Sequence, residues 1–427
     1  MNINDLYQKF LTAGIVSTDS RNITEGCIFF ALKGDRFDAN AFADEALQKG
    51  AAFVVIDNPQ YQTSDHHILV DDTLAALQEL ARYHRSQVNI PVIGLTGSNG
   101  KTTSKELLNT VLSAKYKTFA TKGNLNNHIG VPLSILSIDR SYEIAVIEMG
   151  ANHLGEIALL CSIAQPTHGF ITNIGKAHIG TFGGFENIIR AKSELYDHLL
   201  RNNGTVFINS RDEILSNMAK RFREPIMYYQ PGDYYTCSLV DANPFISFQA
   251  ENGETVKTNL IGSYNFENIA AALCIAKFFQ VDASAANAAV ASYTPGNMRS
   301  QVVRKGNRTI ILDAYNANPS SMKVAIENLA GMSANRKVLI LGDMFELEGE
   351  AEKEHQALGK LVQELSFSEV YLCGKLMKVA QLEIPSAKHF EKKEELMEVL
   401  RTNDFAEATI LVKASRGIGL EAVVDCL

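Results

Sequence analysis

The chain has 427 residues, of which 46% are hydrophobic and 21% are charged, and its formal net charge is −8. The apolar share is typical of globular proteins, so the composition excludes the disordered, collagenous and coiled-coil classes. The acidic balance argues against generic nucleic-acid binding, which favours basic surfaces. At roughly 100–200 residues per domain, the length predicts two to four domains.

Three features of the sequence predict a cytoplasmic protein. No apolar run approaches the roughly 18 residues that a membrane-spanning helix needs. The first ten residues, MNINDLYQKF, lack the basic and then apolar stretch of a signal peptide. The six cysteines are scattered without any CxxC spacing, as expected for reduced thiols. We therefore expect no stable membrane insertion.

Taken in chain order, the predicted elements fall into three α/β units. Residues 1–88 alternate short apolar runs with helical stretches, which predicts a small domain. From residue 89, strand-like runs recur at helix-length intervals, the alternation typical of a mostly parallel sheet covered by helices. Residues 226–260 contain short runs close together, as in an antiparallel extension. A third alternating unit follows Pro295 and Gly296, so the predicted domains are 1–88, 89–296 and 297–427.

The segment VIGLTGSNGKTT (92–103) predicts a phosphate-binding loop. An apolar strand runs into Gly97 and Gly100, and a helix-forming sequence follows. Backbone N–H groups in such a turn point at phosphate oxygens, and the helix N-terminus adds partial positive charge. Lys101 would reach the outer phosphates and Thr102 would coordinate Mg²⁺. Leu95 stands where the strict motif has glycine, and an ordinary helix-capping turn is the alternative interpretation.

Two further polar residues follow predicted strands in the same unit. Glu148 ends the strand 143–148, and His178 lies beyond the next strand, between glycines. Open α/β sheets bind ligands at the carboxyl ends of their strands, so both residues are candidates for the metal site of a phosphoryl-transfer enzyme. A solvated glutamate and a surface histidine are the alternatives.

Several segments of the sequence together resemble the Mur ligases, which are ATP-dependent amide-forming enzymes of peptidoglycan synthesis. The segments are TGSNGKTT (96–103), IEMG (147–150), TNIGKAHIG (172–180), AKSELY (191–196), NFENIAAA (265–272) and DAYNANPSSM (313–322). The resemblance covers essentially the whole chain. It implies a small N-terminal UDP-muropeptide-binding domain, a central P-loop parallel-sheet ATPase domain and a C-terminal Rossmann-like domain. GNLNNHIGVP (123–132) and LGDMFEL (341–347) resemble the members that add D-alanyl-D-alanine to UDP-N-acetylmuramoyl-tripeptide.

The resemblance also implies roles for individual residues in binding ATP and Mg²⁺. The implied catalytic residues are Lys101, Glu148, His178, Lys192 and Arg299. The implied nucleotide-binding residues are Gly97, Ser98, Asn99, Gly100, Lys101, Thr102, Thr103, Asn268, Arg299, Asp313 and Asn316. The implied metal site consists of Thr102, Glu148, His178 and Lys192, with Lys192 carried as a carbamate. Tyr264 stands where the family more often has histidine, and His128 where it often has an acidic residue.

Substrate-binding residues are implied in all three domains. Ser20, Arg21 and Lys33 are candidates for the UDP group. Asn124, Asn126 and Asn127 would line the path of the muropeptide. The dipeptide pocket would consist of Asn318, Ser321, Met344, Phe345, Ser415 and Arg416, although Met344 and Phe345 could equally be core residues. The expected form of the protein is a monomer.

Four alternative functions stay open at the level of sequence. Within the family, they are the ligase that adds the third amino acid and folylpolyglutamate synthase; GNLNN and DAYNANP argue against both. Outside it, a P-loop kinase would phosphorylate a small acid and release it without needing an amine. An ATP-gated binding module without catalysis is the fourth, and the presence of Lys101, Glu148 and His178 argues against it.

Overall fold

The computed structural model of the chain describes residues 2–34, 37–176 and 179–427. Its three main sheets follow one another along the chain, and each is built mostly from parallel strands. This architecture confirms the predicted α/β fold class. The boundaries at 88/89 and 296/297 stay predictions.

The N-terminal sheet has the strand order β1-β2-β5-β6, and all its strands are parallel. The strands are β1 (Val16–Ser17), β2 (Ile28–Phe30), β5 (Phe53–Ile56) and β6 (His67–Leu69), with a hairpin of β3 (Lys33–Gly34) and β4 (Phe37–Asp38). The helices are α1 (Ile3–Ala13), α2 (Ala43–Gln48) and α3 (Thr73–Gln87). All three residues of β2 are buried, as expected for a parallel strand covered on both faces.

Helix α3 attaches this unit to the next one. The Asp72 carboxylate accepts a hydrogen bond from the Ala75 N–H at 2.7 Å, which caps the start of the helix. Leu77 and Leu80 on α3 share one hydrophobic core with Val131 and Ile135 of the central unit. Burial of this continuous apolar surface holds the two units together.

The central sheet has the order β13-β12-β11-β10-β7-β9-β8. Its strands are β7 (Val92–Thr96), β8 (Thr118–Ala120), β9 (Ile144–Glu148), β10 (His168–Ile171), β11 (Thr205–Asn209), β12 (Ile226–Tyr229) and β13 (Tyr235–Thr236). Its helices are α4 (Lys101–Leu112), α5 (Gly130–Leu136), α6 (Glu156–Ala164), α7 (Ile179–Phe182), α8 (Phe185–Arg201), α9 (Glu213–Ala219), α10 (Phe266–Phe278) and α11 (Ala283–Ser292). Because the strand order reverses at β7, the crevice of this sheet opens at the carboxyl end of β7.

The prediction of an antiparallel extension over residues 226–260 is correct only in part. Strands β12 and β13 pair in parallel with the central sheet and extend its edge. Within this segment, antiparallel pairing is confined to a separate sheet of β14 (Ser238–Asp241), β15 (Phe245–Gln249) and β16 (Thr255–Ile261). The short spacing misled the prediction, because the direction of an edge strand depends on packing against the sheet and not on local sequence.

The C-terminal sheet has the order β17-β18-β22-β19-β20-β21, with β17 as an antiparallel edge. Its strands are β17 (Gln301–Lys305), β18 (Arg308–Asp313), β19 (Arg336–Gly342), β20 (Glu369–Cys373), β21 (Lys388–Phe390) and β22 (Ala408–Lys413). Its helices are α12 (Pro319–Gly331), α13 (Ala351–Glu364), α14 (Met377–Glu383) and α15 (Lys393–Thr402). Two apolar clusters cover the sheet, one containing Leu339 and Leu341 and the other Val338 and Ile340, as the alternation of a strand requires.

Among the residues that the structure describes, none of the helices combines the length and the apolar character needed to cross a membrane.

Candidate active site

The loop between β7 and α4 takes the shape that its two glycines permit. Gly100 is left-handed, with φ of 78°, and an added Cβ would lie 2.6 Å from the Asn268 Oδ1. At Gly97 a Cβ would collide with the Thr172 hydroxyl. A side chain at either position would force this loop open, so the glycines follow from the close approach of neighbouring chain.

The carboxyl end of β10 holds the loop through hydrogen bonds. The Ser98 N–H donates to the Asn173 carbonyl and the Asn99 N–H to the Asn173 Oδ1, both at 3.0 Å. The Thr172 hydroxyl donates to the Asn99 carbonyl at 2.6 Å. Thr172 and Asn173 begin the motif TNIGKAHIG (172–180), although the sequence predicted no role for either residue. Their position directly after a buried strand beside β7 was the available signal.

Lys101 folds back over the loop at the first turn of α4. Its Nζ donates to the Gly97 carbonyl at 2.8 Å and lies 3.4 Å from the Ser98 carbonyl. Burial lowers the pKa of Lys101, and the nearby Glu148 carboxylate opposes that shift. The ammonium group therefore lies against the backbone carbonyls of the loop that the sequence predicts to bind phosphate.

Glu148 ends β9 opposite Leu95 and is only 1% exposed. Its Oε1 accepts a hydrogen bond from the Asn126 Nδ2 at 2.8 Å and lies 3.4 Å from the Thr102 hydroxyl. Its Oε2 is buried and has no hydrogen-bond partner within the described ranges. A buried carboxylate oxygen without a partner is costly. Together with the adjacent hydroxyl it offers the hard oxygen donors that Mg²⁺ prefers, so the residues present fit the predicted cation.

The predicted metal site also includes His178 and Lys192. His178 lies outside the described residues. Lys192 is on α8, is 2% exposed, and has its Nζ 5.7 Å from the centroid of the Phe182 ring. Burial, reinforced by the charge of Lys101, lowers the pKa of Lys192 to about 7. In the part of the chain that is described, no three His, Cys, Asp or Glu side chains group as a metal site.

Asn268 and Asn265 support the loop from α10. The Asn268 Oδ1 accepts from the Ser104 hydroxyl at 3.0 Å, and its Nδ2 donates to the Asn265 Oδ1 at 3.0 Å. The Asn265 Nδ2 donates to the Ile261 carbonyl at 2.9 Å. The side chain of Asn265 therefore makes no capping bond, although the residue occupies the N-cap position of α10.

Asp313 lies at the end of β18 in a buried ion pair that sequence analysis missed. The Lys413 Nζ donates to the Asp313 Oδ2 at 2.5 Å, and the Ser300 N–H donates to the Oδ1 at 3.2 Å. Lys413 is 2% exposed and ends β22, the strand paired with β18. Asp313 and Lys413 are 100 positions apart in the sequence, and they meet because the carboxyl ends of the paired parallel strands lie at the same edge of the sheet. Asn316 lies beside this pair, and its Oδ1 accepts from the Ala317 N–H.

Asn318 and Ser321 form a capping box at the start of α12. The Asn318 Oδ1 accepts from the Ser321 N–H at 2.9 Å, while its Nδ2 donates to the Asn99 Oδ1 at 2.9 Å. The amide of Asn318 is thus engaged with the helix and with the loop after β7. This hydrogen bond joins the C-terminal unit to the predicted phosphate site.

The residues predicted for the dipeptide pocket separate into a buried and an exposed group. Met344 is 0% exposed and packs in the core of the C-terminal unit, so the interpretation of Met344 as a pocket residue is corrected to a core residue. Its backbone N–H donates to the His355 Nε2 at 3.1 Å, and the neighbouring Phe345 is 40% exposed. The Ser415 hydroxyl accepts from the Phe345 N–H at 2.9 Å, and Arg416 is exposed beside it.

One cleft of about 930 Å³ brings most of the predicted residues together. The predicted residues that line it are Ser98, Asn99, Gly100, Lys101, Thr102, Thr103, Asn124, Asn126, Asn127, Glu148, Asn268, Arg299, Asp313, Asn316, Asn318, Ser321, Phe345, Ser415 and Arg416. Tyr264, Tyr315 and Lys413 also line it, although sequence analysis gave the last two no role. The cleft therefore combines loop amides, cations, a buried carboxylate and residues of the C-terminal unit.

The residues predicted for the UDP group lie apart from this cleft, on the N-terminal unit. Arg21 forms an ion pair with Asp19, with the Nε 2.8 Å from the Oδ1. Lys33 pairs with Asp57 at 2.7 Å. Ser20 accepts a hydrogen bond from the Lys49 Nζ through its backbone carbonyl. The structure therefore does not bring Ser20, Arg21 and Lys33 to the loop after β7.

The central unit has a parallel sheet with a strand, a glycine loop and a helix at the point where the strand order reverses. A second α/β unit beside it supplies arginines. These features define the class of P-loop nucleotide-binding enzymes. Three family descriptions match the chain: "Mur ligase family, catalytic domain" over residues 12–85, "Mur ligase middle domain" over 95–276 and "Mur ligase, glutamate ligase domain" over 298–416. The UDP-N-acetylmuramoyl-tripeptide–D-alanyl-D-alanine ligase of Bacillus subtilis is 36% identical, covering 99% of this chain and 95% of the relative. The chain belongs to the Mur ligase family.

Two solved structures agree with this assignment. A crystal structure of MurF from Acinetobacter baumannii matches with a TM-score of 0.88 and 30% identity, covering 99% of this chain and 98% of the other. MurF ligase from Thermotoga maritima, solved in complex with ADP, matches with a TM-score of 0.86 and 30% identity, covering 97% of each chain. The family resemblance found in the sequence is thereby confirmed.

Proposed function

We propose that the chain is the ATP-dependent ligase that joins D-alanyl-D-alanine to UDP-N-acetylmuramoyl-tripeptide, releasing ADP and phosphate in peptidoglycan precursor synthesis. One observation carries the chemical part: the buried Glu148 Oε2 has no hydrogen-bond partner among the described residues, and the Oε1 of the same carboxylate lies 3.4 Å from the Thr102 hydroxyl. The choice of substrates rests on relatives named UDP-N-acetylmuramoyl-tripeptide–D-alanyl-D-alanine ligase, which match over nearly the whole chain.

The reaction needs two steps because a carboxylate is a poor electrophile. An oxygen of the tripeptide carboxylate attacks the γ-phosphorus of ATP, and the bond to the leaving ADP oxygen breaks. The amine of the dipeptide then attacks the acyl phosphate at carbon, loses a proton, and phosphate departs. Both steps build negative charge on oxygen, which preorganised cations and N–H groups stabilise.

The predicted site residues take separate parts in this scheme. The N–H groups of residues 100–103 and the Lys101 ammonium bind and orient the phosphates, while the N–H groups of Ser98 and Asn99 are bonded to Asn173. Arg299, at the edge of the C-terminal unit, offsets charge on the transferring group. Thr102, Glu148, Lys192 and the predicted His178 would hold Mg²⁺, which when bound offsets phosphate charge and polarises the transferring group. Asn268 and Asn318 keep the loop in place, and Asp313 and Asn316 face the nucleotide side.

The two acceptor substrates are assigned to different residues. Asn124, Asn126 and Asn127 line the cleft, where Asn126 donates to Glu148, and would guide the muropeptide. Ser20, Arg21 and Lys33 would bind its UDP end. Phe345, Ser415 and Arg416 would contact the dipeptide, whose carboxylate matches the charge of Arg416. We further propose that the protein works in the cytoplasm as a monomer.

Phosphate release from ATP tests the proposed function. It is measured with both acceptors, with each acceptor alone and with neither. The expected result is release only when the tripeptide substrate and D-alanyl-D-alanine are both present. Release with the acid alone would instead favour a kinase, and release with a glutamate or a diamino acid in place of the dipeptide would favour the other members of the family.

The pKa of Lys192 leads to a separate prediction about the proposed carbamate. A carbamate forms from CO₂ and the neutral amine, and with a pKa of about 7 the amine is mostly protonated at lower pH. Turnover is therefore expected to fall as the pH drops below 7, and added bicarbonate should reduce the fall. Lys192→Ala is expected to lower kcat about 10²-fold or more, the scale for removing one electrostatic group.

Chemical rescue distinguishes the carbamate from a packing role of the lysine. Acetate should restore part of the activity of Lys192→Ala, while acetamide, which has the same size but no charge, should not. The exposed Lys323→Ala serves as the matched control and should behave as the wild type. Equal rescue by both compounds, or unaltered activity of Lys192→Ala, would exclude the carbamate.

A further inference from the structure

Tyr315 lies beside two arginines that the family resemblance assigns to two different substrates. The Arg299 Cζ is 4.0 Å from the centroid of the Tyr315 ring, and the Arg416 Cζ is 4.9 Å from the same centroid. All three residues line the cleft. A single aromatic ring thus contacts the cation proposed for the ATP phosphates and the cation proposed for the dipeptide.

The backbone on both sides of Arg299 is held in an uncommon conformation. Met298 and Ser300 have φ of 57° and 52°, in the left-handed region that residues with a side chain seldom adopt. The Tyr315 N–H donates to the Met298 carbonyl at 3.3 Å, and the Ser300 N–H donates to the Asp313 Oδ1 at 3.2 Å. Asp313 at the end of β18 and Tyr315 just after it therefore fix the segment that carries Arg299.

The guanidinium of Arg299 lies against the ring and has a buried nitrogen. Its Nε is buried and has no hydrogen-bond partner in the described part of the chain. A cation that has lost water gains more from the negative face of an aromatic ring than an exposed one does. Two guanidinium groups close together also repel each other, and a ring that attracts both offsets part of that repulsion.

We propose that Tyr315 is a positioning residue whose ring holds Arg299 and Arg416 in place together, so that the nucleotide and dipeptide sites form as one unit. The proposal rests on the proposed function, because that function assigns the ligands of the two arginines. Loss of the ring would then weaken both sites, although Tyr315 itself need contact neither reacting group.

Substitutions that remove or keep the ring test this role. Tyr315→Met keeps much of the volume but removes the aromatic face, Tyr315→Phe keeps the face, and Tyr142→Met removes a tyrosine that pairs with Lys117 far from the cleft. We expect Tyr315→Met to raise the KM for ATP, the KM for D-alanyl-D-alanine and the Kd for ADP about tenfold each. Tyr315→Phe should stay within about twofold of the wild type, and Tyr142→Met should leave all three constants unchanged.

Three results would overturn the proposal. They are a change in only one of the two KM values, no change in either, and equal damage from Tyr315→Phe and Tyr315→Met. A merely structural role would lower the melting temperature and leave the KM values alone. If Tyr315→Met does not fold, phenylalanines with increasing fluorination at position 315 weaken the ring's attraction without changing its shape. The Kd for ADP and the KM for the dipeptide should then rise with each added fluorine. Constants that stay the same across the series would refute the role.

Failure of the proposed function gives a different pattern from failure of this inference. If the wild-type protein does not couple ATP to the tripeptide and the dipeptide, the proposed function is wrong. The Kd for ADP still reports on the Tyr315–Arg299 contact in that case, because nucleotide binding needs no acceptor. If the wild type turns over and the variants bind as it does, only the role of Tyr315 is wrong.

Discussion

Glu148→Gln is expected to lower turnover about 10²- to 10³-fold, the scale for removing one preorganised electrostatic group from an active site. The amide has nearly the same shape, so the hydrogen bond that Asn126 donates to Oε1 can persist. The negative charge is lost, however, and with it the attraction for a divalent cation next to Thr102. Because the buried Oε2 has no partner in the described residues, the substitution should not reduce the melting temperature.

Measurement of kcat against Mg²⁺ concentration tests this prediction. The variant should need more Mg²⁺ for half-maximal turnover, and its melting temperature should stay equal to or above that of the wild type. The matched control is Glu186→Gln, an exposed glutamate in the first turn of α8, which should alter neither quantity. Turnover by Glu148→Gln within tenfold of the wild type at ordinary Mg²⁺ would contradict the assignment of Glu148 to the metal.

Lys101→Met should reduce kcat/KM for ATP by about 10²- to 10³-fold. The methionine keeps the apolar stem but removes the charge that lies against the Gly97 carbonyl. The same charge contributes to the lowered pKa of Lys192, after burial. Removing it should therefore raise the pKa of Lys192 and shift carbamate formation to higher pH.

Two measurements check the effects of Lys101→Met. Initial rates against ATP concentration give kcat/KM, and incorporation of ¹³CO₂ into Lys192, followed by NMR across pH, gives the midpoint of carbamate formation. The exposed Lys323→Met, on α12, is the control and should change neither. An unchanged midpoint in Lys101→Met would contradict the electrostatic link between the two lysines, and an unchanged kcat/KM would contradict the role of Lys101 in binding phosphate.

Local sequence was sufficient for the elements that carry the nucleotide site. A buried strand followed directly by glycine and polar residues marks both its own end and the edge where ligands bind, which is why Gly97 to Thr103 and Glu148 could be selected from the sequence. The family resemblance extended the selection to Asn268 and Arg299, and the structure places both in the same cleft.

The features that sequence analysis missed depend on contacts between distant segments. The local sequence predicts only that Lys413 ends an apolar strand. The pairing of β22 with β18 is what brings it to Asp313. Tyr315 was part of a recognised motif, but its contact with Arg416 requires the folded sheet. Met344 follows a strand as the site residues do, yet its side chain packs in the core of the C-terminal unit.

The transfer of an oxygen atom from substrate to phosphate tests the central claim most directly. The tripeptide substrate is labelled with ¹⁸O in its reacting carboxylate, and the phosphate released from ATP in the presence of D-alanyl-D-alanine is examined by mass spectrometry. If the cleft converts this carboxylate into an acyl phosphate, each released phosphate should carry one ¹⁸O atom. Unlabelled phosphate released at the same rate as the amide product would contradict the account.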